Sequence, residues 1–183
     1  MKIAVDPGHG GNDSGAVGPS GLKESDTVLL ICEQIVRALE RAGLETKLTR
    51  TCDVFVELGR RCDIANDWCA DYFVSVHCNS DGPSAIGIET LYKSSKGEAL
   101  AKPIQEMMVM VTGDEDRGLK YRSDLYVLNG TEMPAALAET GFISNPETEK
   151  LFKGAEYKKI IAQAIVAGIL KHLNIRPVEH PAL

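Results

Sequence analysis

The chain has 183 residues, of which 44 % are hydrophobic and 25 % charged, and a formal net charge of −6. That length suits one domain with a substantial core. The acidic balance argues against nucleic acid, whose binders carry a basic face, and no apolar run is long enough for membrane insertion.

In chain order, residues 2–6 read as a short buried strand. Between residues 24 and 42 the apolar Val28, Ile31, Cys32, Ile35, Leu39 and Ala42 recur at helical spacing, and Gly43 stops that helix. Residues 44–50 alternate as a strand, and 56–70 form a second helix. Residues 72–77 are a β-branched and aromatic strand, and 87–93 a further one. Residues 98–112 are helical in pattern, with Leu100, Ile104, Met107 and Val111 on one face and Pro103 in the first turn or at a kink. Residues 125–128 and 135–139 read as short strands. Residues 147–174 hold a short helix and a longer apolar one.

This alternation predicts a single α/β domain with helices on both faces of an open, twisted, mostly parallel or mixed sheet of about six strands. The domain covers residues 1–175, and 176–183 form a tail. The opening Met1-Lys2-Ile3-Ala4-Val5-Asp6 is charged too early for a signal peptide. The expectation is a chain exported by another route, or one whose leader lies elsewhere. The odd count and spacing of Cys32, Cys52, Cys62, Cys69 and Cys78 fit neither a disulfide framework nor a paired-cysteine zinc knuckle. They read as small buried hydrophobes kept reduced, which suits folding in the cytoplasm.

The stretch "VDPGHGGNDSGAVGPSGLKE", residues 5–24, invites two readings. A dinucleotide fingerprint would place glycines at Gly8 and Gly10 and a third where Asp13 stands, and the helix begins too late to meet a phosphate. A P-loop needs Gly-Lys-Ser/Thr, which is absent, and Asp6 and Asp13 would repel the anion. A metal loop fits better. His9 follows the first strand, His77 ends the third, and sites in open α/β sheets form beyond the carboxyl ends of strands. Glu24 opens the first helix, where an anion is favoured, and two imidazoles with a carboxylate are a zinc ligand set. Glu139 leaves an apolar run, so its carboxyl is expected to be partly buried with a raised pKa, as an acid–base group requires. Each feature also has a plainer reading: hydrogen-bonded strand-end histidines, a first-turn acid and a turn cap. His172 and His180 read as solvent-facing.

These residues resemble the zinc-dependent N-acetylmuramoyl-L-alanine amidases of the type-3 catalytic domain, over essentially the whole chain. Residues 5–24 are similar to the family's first metal motif, with His9 and Glu24. "FVSVHCNS" is similar to its second histidine motif, with His77 and then Asn79. "DRGLKYRSDLYVLNGTEMPAALAETGFISNPETEKL" is similar to its C-terminal signature, whose catalytic glutamate falls on Glu139. The resemblance implies one Zn2+ held by His9, Glu24 and His77. It implies Glu139 as the acid–base catalyst, peptidoglycan as the partner and a monomeric catalytic domain acting outside the cytoplasm, as a leaderless lysin or an excised domain.

Asp6 is expected either to orient a ligand or to shape the loop, and Asn79 to give similar support. Gly8, Gly10 and Gly11 are expected to turn His9 inward, and Arg117 and Arg122 to lie at the surface. Cys78 departs from the family's usual small residue, yet it points away from His77 across the strand. Residues 79–93 leave no room for the helical plug that some members carry, which implies a site open without an activator. The competing readings are a zinc endopeptidase cutting within the stem peptide, a non-enzymatic wall-binding module and a phosphate-binding domain.

Overall fold

A computed structural model describes residues 1–176. In chain order it runs β1 (Lys2–Pro7), α1 (Glu24–Arg41), β2 (Glu45–Leu48), α2 (Leu58–Asp67), β3 (Tyr72–Asn79), β4 (Ile88–Tyr92), α3 (Ser95–Thr112), β5 (Asp116–Tyr121), α4 (Tyr126–Gly130), β6 (Ala135–Phe142), α5 (Pro146–Lys153) and α6 (Ala155–His172). The strands form one mixed sheet in the order β2-β1-β3-β6-β4-β5. β2, β1, β3 and β6 are parallel. β4 runs antiparallel to β6, and β5 is parallel to β4.

Strand alternation divides the core. Ile3, Val5, Val74, Val76, Ala136 and Ala138 face the layer of α1, α3 and α6. That layer is tightly packed: a Cβ on Gly168 of α6 would lie 2.5 Å from the Ile104 Cα of α3. Ala4, Phe73, Leu91 and Leu137 face the other side, covered by the shorter α2 and α4. The same parity carries Asp6, His77, Glu139 and Glu89 onto this thinner side. The carboxyl ends of β1, β3 and β6 and the amino ends of β4 and β5 meet there along one edge of the sheet.

Two element assignments are corrected. Residues 125–128 belong to a helical turn, α4, because Val127 and Leu128 bury against α2. A run that short carries no period by which to tell helix from strand. The sixth strand is instead β5, an edge strand that is mostly exposed and shows no apolar alternation. Pro103 lies well inside α3, because that helix starts at Ser95 behind a Ser94 cap whose hydroxyl accepts the Gly97 N–H. Cys32, Cys62 and Cys78 are buried, but Cys52 and Cys69 are exposed, so they are not core residues; all five are free thiols. His172 is half-buried, its ring edge-on to Tyr72 with centroids 5.2 Å apart, rather than free in solvent. His180 and residues 177–183 of the expected tail lie outside the described residues. Among the described residues no helix is long and apolar enough to cross a membrane.

Candidate metal centre

β1 ends at Pro7, and the chain turns sharply into residues 8–23. His9 takes a left-handed backbone, φ +57°, followed by Gly10 at +127° and Gly11 at +62°. A non-glycine residue there is strained and must be held by its surroundings. Two arginines hold it. Arg50 donates to the carbonyls of Pro7, Gly8 and Ser25. Arg61 donates to those of Pro7, His9 and Val56 and to Asp6 Oδ1 at 2.8 Å. Asp6 also accepts the hydroxyls of Thr49 and Ser75. Burial would raise its pKa, but Arg61 and these donors hold it below the usual carboxylate range. Asp6 therefore shapes the loop through Arg61 and makes no hydrogen bond to a histidine. Gly8 serves close approach: a Cβ there would collide with the His77 imidazole.

His9, Glu24 and His77 converge. Each offers one donor atom, and these atoms lie within 4.8 Å of one another. Glu24 Oε1 sits 2.9 Å from His77 Nδ1 and 3.2 Å from His9 Nε2, and it accepts the Cys78 N–H at 3.0 Å. Glu24 Oε2 accepts the Ala16 N–H. The other nitrogen of His9, Nδ1, donates to Asp13 Oδ2 at 2.9 Å, a carboxylate partner that fixes the tautomer and turns Nε2 inward. Asp13 was not assigned this role from sequence; its i,i+4 spacing from His9 was the available signal.

Burial lowers the basicity of both imidazoles, but Glu24 outweighs it. With Asp13 also helping, His9 rises to about 9, and His77 rises too. Glu24 is buried, yet the two rings hold its carboxyl well below the usual range. Without metal, the carboxylate thus holds two protonated rings together. Two imidazoles and a carboxylate beside an open pocket are the donor chemistry of a catalytic zinc site, so the residues present fit the ion.

Glu139 pairs in register with His77 across β3–β6, where a bulge follows His77. Its Oε2 is shut off from solvent and has no hydrogen-bond partner. Burial pushes its pKa up to about 7; His77 pulls it down, and the carboxylates of Glu24 and Glu89 push it further up. Asn79 donates to Glu89 rather than to any of the converging groups. Arg117 reaches Glu89 and lies over the Phe142 ring, while Arg122 pairs with Asp124 at the surface. Cys78 points to the far face, against Thr140.

A sequence profile described as N-acetylmuramoyl-L-alanine amidase matches residues 3–171. The chain belongs to that family. This amidase is 37 % identical to the N-acetylmuramoyl-L-alanine amidase LytC of Bacillus subtilis over 93 % of its own length, and spans 35 % of that protein. It is 40 % identical to the endolysin of Bacillus phage SPP1, covering 95 % of this chain and 66 % of the relative. Its fold superposes on the amidase AmiC2 of Nostoc punctiforme with a TM-score of 0.91, at 38 % identity over 95 % of this chain and 97 % of the other.

Proposed function

We propose that this amidase hydrolyses the amide between N-acetylmuramic acid and L-alanine of peptidoglycan at the centre formed by His9, Glu24 and His77, with Glu139 as its acid–base group. One observation carries the reading. Three donors from distant parts of the chain converge beside a carboxyl oxygen that has no partner of its own. A zinc ion bound there would lower the pKa of a water and polarise the scissile carbonyl.

The chain's residues do the rest. Glu139 accepts a proton from the attacking water as the new C–O bond forms. It returns that proton to the alanine nitrogen as the C–N bond breaks, giving a muramic carboxylic acid and a free peptide amine. A group near pH 7 both takes and gives a proton readily. Asp13 holds His9, and the Arg50 and Arg61 clasps keep the loop in the conformation that presents it.

The enzyme acts on the wall outside the cytoplasmic membrane as a monomeric catalytic domain of residues 1–175. Residues 80–87, which join β3 to β4, carry no helix over the site, and this supports activity without an activator protein. Digestion of purified peptidoglycan tests the assignment. The expected products carry new N-terminal alanine without new reducing sugar, and chelation stops their release. A new amine on any other residue overturns it.

A further inference from the structure

We infer that the apolar pocket beside the metal centre receives the N-acetylmuramoyl sugar, while the stem peptide leaves over the opposite flank of Glu139. This rests on the amidase reading above and gives the substrate a direction along the sheet edge.

The pocket, about 400 Å³, opens onto His9 and His77 and is walled by Phe55, Val56, Leu58, Tyr126 and Leu137. It exists because this side of the sheet is covered only by the short α2 and α4. Phe55, Leu58 and Tyr126 are 45 %, 52 % and 55 % exposed, an apolar rim next to reactive groups. Such a concavity is the ordinary form of a small-ligand subsite.

Charge decides the occupant. The acids lining the pocket are Asp6, Asp13 and Glu57, and its one basic residue is Arg61. That guanidinium is spent on Asp6 and on the carbonyls of Val56, Pro7 and His9. A carboxylate-bearing peptide would meet like charge there with no free cation. A neutral N-acetyl sugar would not: its ring C–H faces and acetyl methyl pack on aromatic rings while its hydroxyls stay in water. The cations lie on the other side of Glu139. Arg117 belongs to β5 and Arg122 to the turn after it, and their side chains are 37 % and 44 % exposed. The sugar thus sits by β1 and β3, the scissile bond by β6 and the acidic peptide towards β4 and β5.

The test uses the zinc-loaded chain and soluble muropeptide. Tyr126→Ala and Phe55→Ala, made separately, should each raise KM about fivefold to tenfold with a much smaller change in kcat. In NMR titrations a peptide-free GlcNAc–MurNAc disaccharide should shift the ring signals of Phe55 and Tyr126, and free stem peptide should not. Shifts from the peptide instead of the disaccharide, or an unchanged KM in Phe55→Ala, overturn the inference. Failure of the wild-type chain to release N-terminal alanine would strike the amidase reading itself. Phe55 lies in an exposed loop, so that variant remains informative even if Tyr126→Ala does not fold.

Discussion

A carboxyl oxygen closed to water and without a donor is costly to leave ionised. The Glu139 Oε2 is in that position, and its pKa near 7 expresses the cost. In the unfolded chain the group titrates near its ordinary value of 4.5. Below that pH both states are protonated, and Glu139 makes no difference to stability. Between that pH and about 7 the folded state holds the proton that the unfolded state releases, so stability falls as pH rises, then levels off. Glu139→Gln removes the penalty and keeps the shape. The metal-free variant should be more stable than the metal-free parent at pH 8, by about 1–3 kcal/mol, with the gap closing towards pH 4. Denaturant titrations at the two pH values measure it; equal gaps at both would show that Oε2 is solvated after all. Activity of the same variant should drop by ~10²–10⁴-fold, because an amide cannot take the water proton. Improved folding alongside lost turnover is the signature of a group placed for chemistry rather than for stability.

At the scale of elements, the centre depends on how residues 8–23 are pinned. Glu24 belongs to α1, but it enters the site from a loop with little apolar anchorage. Glu149 of α5 is the distant clamp: its two carboxyl oxygens accept the Ser20 N–H at 3.0 and 3.1 Å, and Oε1 also accepts the Leu22 N–H at 3.2 Å. Lys153, one turn on, donates to the Ser20 hydroxyl. Glu149→Gln keeps the volume but weakens these bonds, because charged acceptors bind N–H groups more strongly than neutral ones. Zinc affinity should fall about tenfold, the lower end of what losing an outer partner costs, and Glu149→Asp should recover part of it. Chelator competition reads the affinity directly, and an unchanged value would mean that the loop keeps its shape without α5. This dependence also separates what was legible in sequence from what was not. His9, Glu24, His77 and Glu139 could be read because strand ends and helix starts mark a sheet edge. Asp13, Arg50, Arg61 and Glu149 could not, because each acts on backbone groups or ring nitrogens whose positions exist only after folding. β5 was missed and 125–128 misread for a related reason: an exposed edge strand and a single buried helical turn leave no hydrophobic period in the chain.

Across the whole molecule, the three donors tie together β1, α1 and β3, so metal binding and global stability are linked. An ion that binds only the folded chain adds ~2.7 kcal/mol at a free concentration a hundredfold above its Kd. For a chain of this size that corresponds to roughly 5–11 °C in Tm. The increment should depend on pH in a definite direction. In the metal-free protein His9 is raised to about 9 by Glu24 and Asp13 against the opposing effect of burial, and His77 is also raised. The contact of protonated His9 with Glu24 is fully present below the unfolded pKa of histidine, near 6.5. It is lost as pH climbs through about 9, so the metal-free Tm loses this support over that window. Zinc must displace the same protons, so its apparent affinity falls as pH falls. Both effects widen the gap between loaded and metal-free protein as pH rises from 6 to 8. Paired thermal melts at fixed free zinc give the gap at each pH, and His9→Ala should abolish most of it. A gap that stays constant, or narrows with rising pH, would mean that zinc binds without displacing protons from these rings, and the cluster would then not be its site.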